Sequence, residues 1–432
     1  MQEIVVRGGQ RLEGTLDASG AKNAALPVLA ATVLTEGTTT LHRVPRLTDV
    51  DTMAAILRAL GLELEWTGRN DLRVTPTGTG GTVAPRELVR RMRASVCLLG
   101  PLLATRGAAT MPLPGGCVIG PRPINLHLKG LRALGADIVV DDHQIYARTD
   151  GLKGTRVNMT GPHGSTVLGT ANVLMAATLA EGETVIEGAA REPEVQDLAD
   201  YLVACGAEIA GIGTPTIRVA GKDRLRGVEY RLIPDRIEAG TFFCAAAVTG
   251  GEVTVRGLRR EHMEATLEAL QSAGVEITDS DGSVRARAAK PLQPAQLATA
   301  PYPGLPTDMQ PQLSVMLCLA DGISSFEEKV YPDRFTHVPA LLRMGAEVDC
   351  RGSRAVIHGV EQLHGARVTA TDLRAGAALV LAGLAAEGET EISGIDQIER
   401  GYQMLVADLR SLGAHIHRRE ADWCERRSRR SA

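Results

Sequence analysis

The chain has 432 residues, with 47 basic and 51 acidic side chains, a formal net charge of −4 and only 3% aromatic residues. That length exceeds one ordinary core and points to two large domains, while the scattered, near-balanced charge argues against an extended nucleic-acid surface. No run is long and uncharged enough to span a membrane, the stretch Met1 to Arg7 lacks a signal-peptide pattern, and an odd number of cysteines fits a reducing compartment, so a cytoplasmic location without membrane contact is expected.

In chain order, an opening strand is expected over Glu3 to Val6, and then a unit that returns six times. Its marker is Leu60-Gly61-Leu62-Glu63-Leu64, which recurs at Leu134-Gly135, Cys205-Gly206, Ala273-Gly274, Met344-Gly345 and Leu412-Gly413, each time followed by an alternating apolar segment. The period is roughly 70 residues. Each glycine closes an amphipathic run, as a helix C-cap does before a strand. Upstream stand helices that are apolar all round and therefore buried: Asn23 to Leu34, Ala94 to Thr105, Gly169 to Ala180, Ala239 to Val248, Met309 to Ala320 and Ala375 to Ala386. The unit reads as strand, buried helix, strand, surface helix, strand, and six units divide into two α/β domains of three around their own buried helices. The opening strand could belong with the C-terminal half, and residues 419–432, which end in alternating arginines and serines, read as a disordered tail.

Within this frame, Cys117 stands apart from the other cysteines. Cys97, Cys244 and Cys318 lie in apolar helical runs, where a small buried hydrophobe is expected. Cys117 lies between glycines in Pro114-Gly115-Gly116-Cys117-Val118-Ile119-Gly120-Pro121-Arg122, a loop free to close over a ligand. Arg122 nearby would depress its thiol pKa and attract an anion.

Charged residues cluster at the starts of the buried helices: Lys22-Asn23, Arg93, Arg236 with Glu238, Asp308 and Arg374, with Thr166-Val167 at the sixth. Helix N-termini offer free N–H groups and positive dipole ends. If both domains aim them at one cleft, that cleft holds a polyanion. A cation there opposes the dipole unless an anion offsets both; the competing reading is that each simply reaches a surface carboxylate. Asp308 reads either as a cap or as a general base for a substrate hydroxyl, with Cys117 as the complementary proton donor. Arg122, Arg334 and Arg400 occupy loops before surface helices at matching unit positions, as ligand clamps would. His127 and His163 are more simply hydrogen-bonded structural residues, and no His or Cys spacing suggests a metal site. Gly78-Thr79-Gly80-Gly81 reads as a turn.

The chain resembles the enolpyruvyl transferase family, and within it the members acting on UDP-N-acetylglucosamine, from the first strand to about His417. The resemblance rests on Ser19-Gly20-Ala21-Lys22-Asn23, Met92-Arg93-Ala94-Ser95, the Cys117 loop through Arg122, Ala190-Arg191-Glu192-Pro193-Glu194, Pro234-Asp235-Arg236-Ile237, Pro306-Thr307-Asp308-Met309-Gln310, Asp333-Arg334-Phe335, Thr371-Asp372-Leu373-Arg374 and Arg400-Gly401-Tyr402. It implies two inside-out α/β domains, each a threefold repeat, with the active site between them: a discontinuous domain of residues 1–21 plus 232–418 and a second of residues 22–231. The implied substrates are UDP-N-acetylglucosamine and phosphoenolpyruvate, with no cofactor or metal.

By the same resemblance, Lys22, Arg122 and Arg400 grip the phosphoenolpyruvate phosphate, and Arg334 and Arg374 assist at its carboxylate or phosphate. Asn23, Arg93, Arg122, Pro123, Ile124, Asn125, Leu126, His163, Gly164, Ser165, Thr166, Val167, Asp308 and Val330 would contact the sugar nucleotide. Cys117 would protonate C3 of phosphoenolpyruvate while Asp308 helps deprotonate the sugar 3-hydroxyl, and the thiol would be a target for fosfomycin. The implied role is the first committed step of peptidoglycan precursor synthesis. Cys117 argues against the shikimate-phosphate branch. Another uridine nucleotide as acceptor stays open, because Asn125 stands where the family more often has aspartate; so does a non-catalytic sugar-nucleotide sensor.

Overall fold

Alanine or glycine recurs in five of the six buried helices, and these small residues let helix backbones approach closely. A computed structural model of the chain describes residues 2–78, 80–115, 122–141, 143–288 and 291–420. In it the expected segments are helical: Lys22–Ala31, Leu99–Arg106, Val167–Ala177, Arg236–Thr249, Gln310–Leu317 and Leu373–Ala385. Tight 3-10 turns precede two of them, Arg93–Leu98 and Thr307–Met309, and one follows the first, Thr32–Leu34. At Gly100 the closeness is absolute, since a Cβ there would lie 2.3 Å from the Asn172 carbonyl oxygen. Asn172 uses that proximity, accepting from the Gly100 amide at 2.6 Å and donating to the Val96 carbonyl at 2.8 Å.

Around these helices the described strands form five four-stranded sheets and one of three strands, besides two short two-stranded pairings. Each larger sheet is an antiparallel trio with a parallel partner on one edge. Arg156–Asn158 lies parallel to Glu183–Glu187, Glu229–Arg231 to Thr39–His42, Gln296–Ala298 to Ile323–Glu327 and Arg367–Thr369 to Glu389–Ser393. In the three-stranded sheet a single bridge from Val83 to Thr110 takes that place. The sixth case is Glu13–Asp17, parallel to Glu252–Arg256 from the other half of the chain.

The opening strand Gln2–Arg7 is likewise paired far along the chain. It lies between Glu389–Ser393 and His415–Glu420, with Val6 opposite both Thr390 and Ile416. The last strand runs to Glu420, so Arg419 and Glu420 belong to this sheet and not to a tail; Arg419 also pairs with Glu391 at 2.8 Å. Residues 421–432 lie outside the described residues.

Burial separates into two large hydrophobic cores. One is drawn from Ala25 to Leu232, the other from Ile4, Val6 and Leu12 together with Ile237 to Ile416. Two antiparallel crossover segments join them: the Ala21 amide donates to the Ile233 carbonyl and the Asp235 amide to the Ser19 carbonyl, both at 2.9 Å. Gly20 sits between them, where a Cβ would lie 1.6 Å from the Arg43 carbonyl oxygen. No described helix is long and apolar enough to cross a membrane.

Candidate active site

The crossovers set Lys22 and Asn23 at the start of their helix, facing the second core. Asp235 caps the helix Arg236–Thr249 by accepting from the Ile237 and Glu238 amides at 2.9 and 3.0 Å, and its other oxygen accepts from the Lys22 amide at 3.1 Å. One carboxylate thus ties the starts of two buried helices from different cores.

Lys22 does not wait for an external anion. Its Nζ lies 2.9 Å from Asp49, in the first turn of the surface helix Thr48–Ala59, and Arg400 reaches the other Asp49 oxygen at 2.9 Å. Burial pushes the Asp49 carboxyl up, but the Lys22 and Arg400 charges more than reverse this and hold it below its ordinary value. Lys22 and Asp49 come from one core and Arg400 from the other, so two of the three expected phosphate clamps, Lys22 and Arg400, meet across the cleft, while Arg122 lies beside Arg93 and Tyr331.

Beside Lys22 lies a second carboxylate between two cations. Asp308 is 2.8 Å from Arg334 and 3.1 Å from Arg374, whose side chains are only 3% and 1% exposed. Asn23 of the opposite core donates to Asp308 at 3.3 Å. Burial raises the Asp308 carboxyl, yet the two guanidinium charges pull it far below the carboxylate range. An acid held so low is a weak base, so the general-base role expected from the sequence requires its arginines to be drawn away first. Arg374 also lies 5.3 Å from the Tyr402 ring centre, and the Nε of Arg334 is buried without a partner among the described residues.

Lys22 and Arg374 are each offset by a carboxylate inside the cleft and not by one on the surface. Arg236 is offset likewise, forming a bidentate pair with Glu194 at 3.0 and 3.1 Å, again between the cores. Arg93 and Arg122 differ. Arg93 donates to the Pro114 carbonyl at 3.4 Å and to the Arg122 carbonyl, while Arg122 lies 5.3 Å from the Tyr331 ring centre. Burial and the neighbouring Arg122 charge push Arg93 down to about 10. That pair favours a bound anion.

Asn125 and Leu126 open the helix Asn125–Ala133, behind Pro123 and Ile124. His163 is exposed at the turn of a short hairpin, Thr160–Gly161 against Gly164–Ser165, and a Cβ on Gly164 would lie 2.8 Å from Pro301 of the other core. Thr166 caps the helix Val167–Ala177 through the Gly169 amide. His127 is buried against Asn172 at 3.2 Å, and burial pushes it down to about 3, which keeps it neutral and structural. Cys117 lies outside the described residues. Among those residues, no group of three or more His, Cys, Asp or Glu is placed to hold a metal ion. A cavity of 1040 Å³ lined by Thr35, Thr105, Lys153, Glu181 and Lys222 contains none of the candidate residues.

The description EPSP synthase (3-phosphoshikimate 1-carboxyvinyltransferase) belongs to a family model that matches residues 6–420. Finer kinship comes from whole-length relatives. The UDP-N-acetylglucosamine 1-carboxyvinyltransferase of Trichlorobacter lovleyi is 49% identical over 97% of this chain and 99% of its own. Those of Dichelobacter nodosus and Myxococcus xanthus are 50% and 48% identical, covering 97% and 98% of this chain and 99% and 100% of theirs. The chain belongs to the UDP-N-acetylglucosamine 1-carboxyvinyltransferases. The enolpyruvyl transferase NikO of Streptomyces tendae superposes with a TM-score of 0.89 at 25% identity, over 98% of this chain and 99% of NikO. An EPSP synthase of Acinetobacter baumannii shares the fold, with a TM-score of 0.76 at 19% identity over 97% of this chain and 100% of its own. The fold is that of the enolpyruvyl transferases, and the protein is a transferase.

For a UDP-N-acetylglucosamine 1-carboxyvinyltransferase read from sequence, the residue that reasoning missed is Asp49. It stands in Leu47-Thr48-Asp49-Val50-Asp51, where an acid in a first helical turn reads only as a dipole partner. Glu194 and Asp235 appeared inside recognised motifs but carried no assigned role. A sequence signal was available in Lys22 and Arg400, whose burial demands a counterion, but not in which acid supplies it.

Proposed function

We propose that the protein transfers the enolpyruvyl group of phosphoenolpyruvate to the 3-hydroxyl of UDP-N-acetylglucosamine. The observation that carries this is the pairing of Asp308 with Arg334 and Arg374 on one side and Asn23 on the other, beside Lys22 and Arg400. A phosphate-bearing, carboxylate-bearing substrate matches that cluster, because its two anionic ends can replace Asp308 and Asp49 as partners of the arginines and lysine. Loss of arginine contacts then raises Asp308 toward the range of a usable base.

In this reading Asp308 accepts the proton of the sugar hydroxyl as its oxygen bonds to C2, and Cys117 delivers a proton to C3. The resulting tetrahedral ketal loses a proton from C3, the C2–O bond to phosphate breaks, and inorganic phosphate leaves with the electron pair. Lys22, Arg122 and Arg400 stabilise the charge on that phosphate. Arg93, Asn125, the 163–167 segment and Val330 supply the nucleotide contacts. The two bodies that close are residues 1–21 plus 232–418 and residues 22–231; the two hydrophobic cores and the crossovers at residues 18–22 and 231–236 support that division. We assign the reaction to the cytoplasm, as the committed step of peptidoglycan precursor synthesis for cell-wall growth and division, with fosfomycin alkylating Cys117.

The test is phosphate release from phosphoenolpyruvate by the purified protein, with UDP-N-acetylglucosamine, shikimate 3-phosphate or UMP as acceptor. Release with the first alone is expected. Release only with another moves the protein to a different acceptor, and release with none removes the transferase reading.

A further inference from the structure

Glu328 is fully buried and belongs to none of the groups assigned above. It follows the strand Ile323–Glu327 and accepts four hydrogen bonds. One oxygen accepts from the Thr299 hydroxyl at 2.6 Å and from the Val330 and Tyr331 amides, both at 2.9 Å; the other accepts from the Thr307 hydroxyl at 2.8 Å. Thr299 in turn accepts from the Lys329 amide at 2.8 Å. Anchoring so many donors on one carboxylate is more than a strand end requires, and the donors are not arbitrary. Val330 is an expected sugar-nucleotide contact, and Tyr331 lies beside Arg122.

Thr307 carries the argument into the catalytic cluster. Having donated its proton to Glu328, its oxygen is left as an acceptor, and it accepts from Arg334 Nη1 at 3.1 Å. The same nitrogen pairs with Asp308 at 2.8 Å. The chain Glu328, Thr307, Arg334, Asp308 is continuous, and each step sets the donor or acceptor sense of the next. We propose that Glu328 is a positioning residue for acceptor activation, holding Arg334 through the Thr307 hydroxyl at the point where a substrate anion can draw it from Asp308, while fixing the Val330 segment against which the sugar nucleotide binds. It touches neither substrate. The inference rests on the reading above that Asp308 receives the acceptor proton.

Glu328→Gln separates the two duties. A carboxamide keeps one acceptor oxygen for Thr299 and the two amides, but presents an NH2 to Thr307, which then has no carboxylate to receive its proton. Thr307→Val removes the hydroxyl altogether. Each variant is expected to lower kcat about ten- to hundredfold, with KM for UDP-N-acetylglucosamine changed by less than about threefold. The double variant should be no worse than the worse single, because both cut one chain. Asp308 is faced by Arg334 and Arg374 and, at longer range, by Lys22 and Arg236. Loosening Arg334 should therefore move the acidic limb of the kcat/KM profile, which reports the free enzyme, to higher pH, a change that partial unfolding does not produce. Thr307→Ser keeps the hydroxyl and should recover most of the rate.

Wild-type rates and an unmoved acidic limb in both single variants would overturn the proposal, as would multiplicative losses in the double. Should Glu328→Gln fail to fold, Thr307→Val against Thr307→Ser decides alone: equal rates in the two overturn it. A wild-type protein that releases no phosphate with any acceptor instead defeats the functional reading, a separate outcome.

Discussion

The cleft and the crossover are both built on buried carboxylates, and they meet the cost of burying charge in opposite ways. In the cleft, Asp49 and Asp308 each lie between two cations and are held in the ionised form. At the crossover, Glu238 accepts from the Ser19 amide at 3.3 Å, and Asp197 from the Tyr230 hydroxyl at 2.7 Å and the Ile233 amide at 3.5 Å. Neither forms an ion pair among the described residues, and the Arg259 charge lowers Asp197 less than burial raises it. Burial pushes Glu238 up to about 8 and Asp197 up to about 7. The cleft keeps charge available for a ligand to displace; the crossover sheds it. The charged link at the crossover is the Arg236–Glu194 pair, while these two acids contribute hydrogen bonds alone.

The largest expected effect breaks the cleft side. Asp308→Ala should reduce single-turnover phosphate release by about a thousandfold or more while UDP-N-acetylglucosamine still binds in calorimetry. Loss of binding together with folding would make Asp308 a structural cap. Cys117→Ser should lower turnover about a hundredfold or more and abolish inactivation by fosfomycin, with sugar-nucleotide affinity nearly unchanged. Wild-type turnover in that variant removes the proton-donor role.

Asp49→Asn sharpens the contrast through stability. Breaking a buried pair from one side costs about 3–5 kcal/mol, because Lys22 and Arg400 lose their counterion. Inorganic phosphate should therefore raise the melting temperature of Asp49→Asn more than that of the wild type. Equal shifts would show that Asp49 does not occupy the phosphate partners.

The smallest effect tests the crossover. The folded protein keeps a proton on Glu238 that the unfolded chain releases above about pH 4.3. Its contribution to stability is therefore full below that pH and lost as pH rises through about 8. Glu238→Gln cannot ionise, so it should match the wild type in melting temperature near pH 4, exceed it increasingly as pH rises toward about 8, and keep a constant margin above that. A constant difference between about pH 4 and about 8 would place the carboxyl's titration elsewhere.

Local pattern carried much of this molecule into view. The repeated glycine after each amphipathic run marked six surface helices turning into strands, because a left-handed C-cap and a switch of apolar period from helix to strand are properties of consecutive residues. Lys22, Asn23, Arg93, Asp308 and Arg374 were visible as charged or polar starts of apolar helices for the same reason. Asp49 was not, since its partner Arg400 is 351 residues away. Glu328 was hidden similarly: an acid at a strand end is ordinary until Thr307 and Thr299 are brought beneath it.

The sequence by itself therefore determined the repeat, the buried helices and the identity of the charged groups at their starts, all written in spacings shorter than one unit. Only the tertiary structure decided which carboxylate faces which cation, because those pairings depend on the chain crossing twice between two cores. Electrostatic energy in a buried cleft varies with separation over a few ångströms, and that is a distance no local pattern encodes.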